Sequence, residues 1–304
     1  MKLMFLLWIG SLFFFTGCGV RGSGDAPLRI GLMPTMDSVA IATAFELGFF
    51  EAHGVAVELI PFSSARDRDD AFLAGVIDGA TVDLIAVGLF NEGGQPARAT
   101  SVTTAHFSLI SQAGFTDLAS LQDKTVMISH NTAIDFVLDQ MLAVYGLPND
   151  YLVREEVGNI PSRFEMVRSN QADAALISEP FATMAAADGM SVITDTFQID
   201  FNPFVLAFST DIIDNRLDEL RSFYLAYEEA VEFLNSEPVE SYLDLIVDLV
   251  GFPSEVVDYL VLPAFLLPVV PDDKMVGIAL EWLIAKGLVS ADMEIFDFIY
   301  VVDY

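Results

Sequence analysis

The order of apolar segments predicts an α/β fold built of two lobes. Between residues 28 and 87, short apolar runs alternate with helical patterns in the order β-α-β-α-β, which is typical of a mostly parallel sheet with helices on its faces. Near residue 99 the pattern starts again, and from residue 217 onward it is nearly all helical. We therefore expect two α/β lobes joined by two crossover strands, with a helical C-terminal segment.

The first unit alternates three strands with two helices. Residues 28–33, 55–60 and 82–87 are predicted as strands because each is a short apolar or alternating run. Asp37 and Ser38 are suitable N-caps for the helix that follows the first strand. A charged helix is expected over residues 65–77, and Gly79 closes it.

The second unit repeats this arrangement. Extended segments are predicted at residues 99–104 and 107–111, followed by the strands 125–129, 174–178 and 204–209. Asn131 and Thr132 are expected to cap a helix over residues 133–145. Ser162 and Glu165 resemble a second capping box, and a last helix is predicted over residues 275–286.

The N-terminus has the features of a lipoprotein signal. Lys2 precedes a short apolar segment that is too short for a comfortable membrane span, and small residues follow it before Cys18. Cys18 is the only cysteine in 304 residues, so an internal disulfide is excluded. The segment resembles a bacterial lipobox, which predicts a signal peptide over residues 1–17, lipidation with palmitate-type chains at Cys18 and a glycine-rich lipidated tether over residues 18–27.

The charge balance excludes polyanionic partners. The chain has 14 Lys and Arg against 44 Asp and Glu, a formal net charge of −30. Binding of nucleic acid requires clustered Lys or Arg, so we do not expect this chain to bind nucleic acid. The carboxylates are interpreted as a solvated surface, suited to a saline medium, with attraction of cationic ligands as the alternative.

Candidate ligand-binding residues follow from the topology. Ligands of open α/β sheets bind beyond the carboxyl ends of strands, near helix N-termini, and residues on the crossovers face the same cleft. For several of the candidate side chains the alternative to ligand binding is an ordinary role as a helix cap or a solvated charge. For Phe204 the alternative is a place in the hydrophobic core. The candidate residues are Asp37, Ser38, Ser64, Arg66, Thr103, Thr104, Asn131, Thr132, Glu179 and Phe204.

Several short motifs, taken in order, resemble one family. Residues 31–34 (GLMP) and 44–54 (AFELGFFEAHG) are similar to the opening of ABC-transporter substrate-binding proteins of the nitrate, sulfonate, taurine and thiamine-pyrimidine-precursor type. Four later motifs resemble the same family. They are residues 78–83 (DGATVD), 121–126 (LQDKTV), 178–180 (SEP) and 282–288 (WLIAKGL).

The resemblance implies the type II periplasmic-binding-protein fold. Lobe 1 would comprise residues 28–103 and 206–304, and lobe 2 residues 104–205. It also implies a monomer that delivers a small molecule to a membrane permease and its ATPase from the outer face of the membrane. Neither a cofactor nor a metal is expected, because the three histidines lack metal-ligand spacing.

The charged candidate residues indicate the chemical class of the ligand, and the cysteine content indicates whether an enzymatic activity is expected. Asp37 and Glu179 suit N–H donors better than an anion, which favours a nitrogen heterocycle such as a thiamine pyrimidine precursor. An anion binder of the sulfonate or nitrate type and a ligand-sensing lipoprotein without transport remain as alternatives. A pyrimidine-synthesising enzyme is not expected, because the cysteine-rich run of the enzymes in the wider family is missing from this sequence.

Overall fold

The computed structural model describes residues 26–250, 252–256, 259–260 and 262–304. It contains two five-stranded sheets with helices packed on them. The predicted signal peptide, Cys18 and the tether up to residue 25 lie outside the described residues.

The first sheet combines three parallel strands with two antiparallel neighbours. Its order is β2-β1-β3-β10-β4, where β1, β2 and β3 run parallel and β10 is antiparallel to both β3 and β4. These strands are β1 (Leu28–Leu32), β2 (Val57–Pro61), β3 (Gly79–Asp83), β4 (Ala97–Val102) and β10 (Phe204–Ser209). Strands β3 and β10 are buried along their whole length, and the nearly continuous apolar sequence of β10 agrees with its burial.

The second sheet has the same plan. Its order is β7-β6-β8-β5-β9, with β6, β7 and β8 parallel and β5 antiparallel to β8 and β9. The strands are β5 (Phe107–Ser111), β6 (Thr125–Ile128), β7 (Val153–Glu156), β8 (Ala174–Ser178) and β9 (Ser191–Asp195). The order of strands is thus equivalent in the two sheets, and each sheet belongs to one lobe.

Eleven α-helices are described, and most follow a strand directly. Their bounds are α1 (Val39–Glu46), α2 (Phe49–Ala52), α3 (Ala65–Leu73), α4 (Leu84–Glu92), α5 (Ala133–Val144), α6 (Ile160–Arg168), α7 (Phe181–Ala187), α8 (Thr210–Asn215), α9 (Leu217–Ser236), α10 (Leu243–Leu245) and α11 (Asp273–Ala285). A π-helical turn, Ile246–Val250, follows α10. None of the helices in the described part of the chain is long and apolar enough to cross a membrane.

The chain passes between the two sheets twice. The first passage, residues 103–106, joins β4 to β5, and the second, residues 196–203, joins β9 to β10. The lobe boundary predicted at 103/104 falls in the first passage. The one predicted at 205/206 falls inside β10, whose Phe204 and Val205 already pair with β3.

Four local predictions were wrong. Helix α3 ends at Leu73 rather than at residue 77, because Gly75 takes a left-handed backbone with φ of 67°, and Gly79 begins β3 instead of closing the helix. Residues 84–87 begin helix α4 rather than ending a strand, because Asp83 accepts a hydrogen bond from Ala86 N and so caps a helix. Helix α6 is capped by Asn159 and not by Ser162, which lies inside it. Ser38 adjoins α1 without a capping bond and instead accepts from Met33 N at 3.2 Å.

The C-terminal helices cover the first sheet and also reach the second lobe. Helix α9 packs on α1 and α2, while α11 packs on α4. The side chain of Trp282, on α11, donates to Asp139 Oδ2 at 2.7 Å, and Lys286 Nζ lies 2.9 Å from Asp135 Oδ2. Both aspartates belong to α5, so α11 links the two lobes.

Candidate functional site

A pocket lies between the two lobes and is lined by both. The space between its protein atoms is about 520 Å³, a volume that includes open solvent at the mouth. The residues of the first sheet and its helices that line it are Met33, Thr35, Asp37, Ala65, Arg68, Val82, Asp83 and Phe204. The lining residues from the passage and the second lobe are Ala105, Phe107, Ser129, Thr132, Ala133, Ile134, Gly158, Ile160 and Arg163.

The turn after β1 places a carboxylate in the pocket. Asp37 is 7% exposed, and its Oδ1 accepts a hydrogen bond from Thr35 Oγ1 at 2.5 Å. No described residue donates a hydrogen bond to the second carboxylate oxygen, Asp37 Oδ2. Burial raises the pKa of Asp37 to about 6, although Thr35 and the charge of Arg68 act in the opposite direction. Asp37 is therefore a strong acceptor facing the pocket.

A buried arginine anchors the same wall. Arg68 donates to Asp69 Oδ1 at 2.8 and 3.0 Å and to Thr81 O at 3.0 Å, while Asp83 Oδ2 lies 3.9 Å away. Burial raises the pKa of Asp69 to about 6 and also raises that of Asp83. Burial alone would lower the pKa of Arg68, but Asp69 and Asp83 raise it overall. This wall combines three carboxyl groups, including Asp37, with one guanidinium.

The opposite wall is built by the N-termini of two helices. Thr132 caps α5 by accepting from Ile134 N, and Asn159 caps α6 by accepting from Ser162 N. Arg163, in the first turn of α6, is 1% exposed, and its hydrogen bonds to described residues all go to backbone carbonyls, those of Val157, Gly158 and Leu176. Burial lowers its pKa to about 10, so it remains a cation at neutral pH.

Aromatic and aliphatic side chains form the rest of the lining. The rings of Phe107 and Phe204 meet edge to face at 4.6 Å between centroids. Met33, Ile134 and Ile160 complete the apolar part of the surface. A few polar groups in a mostly apolar concave site are the usual composition of a small-molecule site.

The lobes also touch outside the pocket. Ser64 and Asn159 form an isolated antiparallel β-bridge, and Arg66 Nη2 lies 3.6 Å from Glu156 Oε1. Ser64 and Arg66 adjoin β2 of lobe 1, whereas Glu156 and Asn159 adjoin β7 of lobe 2. These contacts join the lobes beside the pocket.

The structure brings three of the ten predicted ligand-binding residues to the pocket lining. They are Asp37, Thr132 and Phe204. Ser64 and Arg66 lie at the contact between the lobes. The five others are placed near the pocket but outside its lining, namely Ser38, Thr103, Thr104, Asn131 and Glu179.

Most residues outside the lining have local partners. Thr104 Oγ1 accepts from Leu266 N, and Ser38 Oγ accepts from Met33 N. Glu179 Oε2 accepts from Thr183 N, and its other oxygen lies 3.6 Å from His106 Nε2. Asn131 adopts a left-handed backbone with φ of 59° just before the cap of α5. Thr103 Oγ1 is buried without a hydrogen-bond partner among the described residues.

The charged residues that sequence reasoning missed are Arg68, Asp83 and Arg163. The two arginines had a signal in the sequence. Arg68 shares a helix face with Ala65 and Phe72, and Arg163 shares one with Ile160 and Val167, so both face inward. In the described part of the chain, no group of three or more His, Cys, Asp or Glu side chains is placed to hold a metal.

Comparison with solved structures identifies the class of fold. The periplasmic aliphatic sulphonate binding protein SsuA from Escherichia coli matches with a TM-score of 0.77 and 16% identity over 91% of this chain and 92% of that chain. The periplasmic nitrate-binding protein NrtA from Synechocystis PCC 6803 matches with a TM-score of 0.73 and 17% identity over 88% and 83%. The predicted two-lobed periplasmic-binding-protein fold is confirmed.

Sequence comparison identifies the family. The family model described as NMT1/THI5 like matches residues 35–241, which is more than half of the chain. A protein of Brachyspira hyodysenteriae, named as an ABC transporter periplasmic binding protein, is 24% identical over 257 residues, 77% of this chain and 73% of that relative. This chain belongs to the NMT1/THI5-like family, as its motifs predicted.

Proposed function

We propose that this chain is the extracytoplasmic solute-binding component of an ABC importer. The observation that carries the proposal is the pocket between the lobes, to which each lobe contributes a buried charged side chain, Asp37 from lobe 1 and Arg163 from lobe 2. A ligand that contacts both walls binds the closed arrangement better than an open one, so it shifts the population toward closure. A permease and its ATPase would then recognise the closed form.

The names of similar proteins support this proposal. The Brachyspira relative is named for ABC transport, and the structural neighbours are named for binding of sulphonate and nitrate. We therefore propose capture and delivery of a solute, without a chemical reaction on it.

The ligand is proposed to contain a nitrogen heterocycle, such as a thiamine pyrimidine precursor. Asp37 supports this assignment, because it lines the pocket, a desolvated carboxylate binds N–H donors strongly, and no described residue donates a hydrogen bond to its Oδ2. Phe107 and Phe204 offer ring surfaces for a planar compound. Glu179 was expected to accept N–H bonds from the ligand. We now propose this role for Asp37, which lines the pocket.

Lobe closure can be tested with a pair of cysteines. Ser64 and Asn159 face each other in an antiparallel bridge, whose Cα separation suits a disulfide. In a Cys18→Ser background the chain has no other thiol. We expect the Ser64→Cys/Asn159→Cys variant to oxidise faster when a true ligand is present, and the oxidised form to release that ligand more slowly.

The ligand screen uses thermal shift with pyrimidine precursors, riboflavin, taurine, alkylsulfonates, nitrate and polyamines. A ligand at 100 times its Kd should stabilise the protein by about 2.7 kcal/mol. The reduced form of the same cysteine variant and each single-cysteine variant are the matched controls. A compound that stabilises the chain but leaves the oxidation rate unchanged would contradict the closure mechanism.

The anchor is proposed to be a lipid on Cys18, which would hold a monomeric protein on the outer face of the membrane. The support is the sequence pattern alone, a short apolar segment followed by small residues and the single cysteine. Metabolic labelling with a clickable palmitate analogue in a bacterial host should label the protein. The Cys18→Ser variant should lose both the label and the membrane association, and equal labelling of both proteins would refute the anchor.

A further inference from the structure

Lobe 1 has an apolar groove that is separate from the ligand pocket. It lies between strand β2, the end of α1 and the π-helical turn after α10, and it shares no lining residue with the pocket. The space between its atoms is about 970 Å³, a volume that includes open solvent. We call it the β2 groove, and its lining includes the apolar residues Phe45, Val57, Leu59 and Leu249 and the acidic residues Glu58 and Asp248.

The outer edge of β2 lacks the cover that the opposite edge of the same sheet has. Strand β4, at that opposite edge, is bonded by the C-terminal segment, since Tyr300 N donates to Ala99 O and Val102 N donates to Val269 O. Strand β2 pairs with β1 only, and no other described segment pairs with it. An exposed edge strand beside an apolar groove is a surface that proteins normally cover.

The described chain begins at this groove. Pro27 is one of the lining residues. Ala26 O accepts from Arg216 Nη2 at 2.7 Å, and Leu28 N donates to Ala56 O at 2.8 Å. These bonds fix the point at which residues 18–25 join the folded part of lobe 1, and this point lies beside the groove.

The two acidic side chains of the groove have no cationic partner among the described residues. Glu58 and Asp248 are both exposed, and no ion pair in the described part of the chain includes either of them. Arg29, the cross-strand neighbour of Glu58, binds Asp78 instead, with 2.6 Å between Nη2 and Oδ1. The groove therefore suits a partner that combines an apolar side chain with a positive charge.

The chain has such a segment immediately before the groove. Between Cys18 and Ala26, Val20 is the only large apolar residue and Arg21 is the only basic one. Because residues 18–25 are attached beside the groove, their effective concentration there is on the order of millimolar. Weak contacts are therefore sufficient for them to dock.

We propose that residues 18–25 dock in the β2 groove, with Val20 on its apolar surface and Arg21 beside Glu58 and Asp248. The groove belongs entirely to lobe 1, so docking holds lobe 1 close to Cys18, the proposed anchor, and does not oppose movement of lobe 2. This proposal goes beyond solute binding and is independent of the chemistry of the ligand.

Tryptic cleavage of the bond between Arg21 and Gly22 tests the docking. The chain is used as its bacterial host processes it, in phospholipid nanodiscs, and mass spectrometry follows the fragment that begins at Gly22. When docking is fast relative to cleavage, the cleavage rate follows the undocked fraction. We expect Phe45→Ser to raise the rate about fivefold, which corresponds to about 1 kcal/mol.

Leu47→Ser is the matched control for this variant. Leu47 is 42% exposed and Phe45 is 41% exposed, but Leu47 does not line the groove. The control should therefore cleave at the native rate. Equal cleavage rates in the two variants would overturn the proposal.

A pair of charge variants leaves the shape of the groove unchanged. Glu58→Gln/Asp248→Asn should raise the cleavage rate about threefold, as expected for the loss of an exposed ion pair. Added NaCl should raise the rate of the native chain but not that of this variant. Glu51→Gln/Asp244→Asn removes the same charge at exposed positions outside the groove and should change neither result. An equal effect of both pairs would be a general effect of net charge and would contradict the proposal.

Photocrosslinking identifies what occupies the groove. With benzoylphenylalanine in place of Val20, we expect intramolecular crosslinks to the peptides that contain Phe45 or Leu249. Crosslinks between two copies of the chain, to lipid alone or to another surface of lobe 1 would each overturn docking of this segment. Since the groove and the ligand pocket share no lining residue, failure of the proposed solute-binding function would leave this result unchanged, and the reverse also holds.

Discussion

Asp37 is a buried carboxyl group whose ionisation weakens the fold. Burial raises its pKa from 3.8 to about 6, so between these pH values the folded state binds a proton more tightly than the unfolded state. The ionised side chain therefore reduces stability increasingly as pH rises through this window, by on the order of 3 kcal/mol in full. Asp37→Asn removes this cost while keeping an acceptor for Thr35. We expect the variant to be more stable than the native chain at pH 8.

Urea unfolding at several pH values measures this effect. The stability difference between Asp37→Asn and the native chain should be largest at pH 7–8 and should vanish below about pH 3, where Asp37 is protonated in both states. Asp218→Asn, at a side chain that is 95% exposed, is the control and should show little change at any pH. A native chain that is more stable than Asp37→Asn at pH 8 would contradict the assigned pKa.

At the level of residues, the sequence predicted the positions after strands better than the direction of side chains on helices. Asp37 follows β1, and its place in the pocket depends only on the topology. Arg66 and Arg68 both lie in the first turns of α3, but at about 100° per residue they are roughly 200° apart around the helix. Arg66, which is 64% exposed, lies at the contact between the lobes, and Arg68 is buried in the pocket wall. Arg163 was missed because it follows Ser162 and resembles a solvated residue.

At the scale of elements, the packing of α11 on α4 depends on a glycine. A Cβ at Gly88 would collide with Leu283 Cδ1 and approach the ring of Phe298 at 3.2 Å. We expect Gly88→Ala to reduce the free energy of unfolding by about 1–3 kcal/mol through overpacking. Thermal or urea unfolding measures this loss.

Gly277 offers the matched control inside α11. The nearest side-chain atom to a Cβ there is Ile295 Cδ1 at 3.9 Å, an ordinary contact. Gly277→Ala should therefore raise stability by about 0.5–1 kcal/mol through helix propensity. If both substitutions had the same sign, the close approach of α11 and α4 would not be the cause.

The ion cluster between α5 and α11 joins the C-terminal segment to lobe 2. Lys286 Nζ lies 2.9 Å from Asp135 and 3.5 Å from Asp139, and Arg154 contacts both aspartates. Although burial alone would raise it, Lys286 and Arg154 hold the pKa of Asp135 below its ordinary value. Lys286→Gln leaves two buried carboxylates with one cation, and we expect it to cost about 2 kcal/mol.

The pH dependence of this cost has a definite sign. A lowered pKa contributes stability that is present above the ordinary aspartate value of 3.8 and is lost as pH falls through the folded value. The difference between Lys286→Gln and the native chain should therefore be constant near neutrality and shrink below about pH 4. Lys274→Gln, at an exposed position of the same helix, is the control and should change stability little. An equal loss in both variants would contradict the role of the cluster.

The prediction of a strand at residues 84–87 was wrong because an apolar pattern alone does not distinguish a buried strand from a buried helix. Residues 79–90 form one long apolar stretch, interrupted by Asp83. A buried strand and a buried helix have the same composition there, since α4 is covered on nearly all sides. The aspartate decided the boundary, because its side chain can cap the helix only from the last position of β3.

At the scale of the whole molecule, the two-lobed fold was predictable because it depends on repetition. The restart of the strand and helix pattern near residue 99 sets two sheets of equivalent strand order, and this survives errors of a few residues in any element. The contacts between lobes were not predictable in the same way. The bridge between Ser64 and Asn159 joins positions 95 residues apart, and no local pattern relates them.

The net charge predicts how the whole molecule responds to salt. The 44 acidic residues outnumber the 14 basic ones by 30, so repulsion between carboxylates exceeds their attraction to basic groups over the surface as a whole. Raising NaCl from 0.02 to 0.5 M shortens the screening length from about 20 Å to about 4 Å, which weakens repulsion between separated carboxylates more than attraction within close pairs. We expect the melting temperature to rise by roughly 5 °C or more, with sucrose of equal osmolarity as the control. A fall with added salt would mean that the close ion pairs contribute more than the repulsion, and the acidic surface would then not be an adaptation to a saline medium.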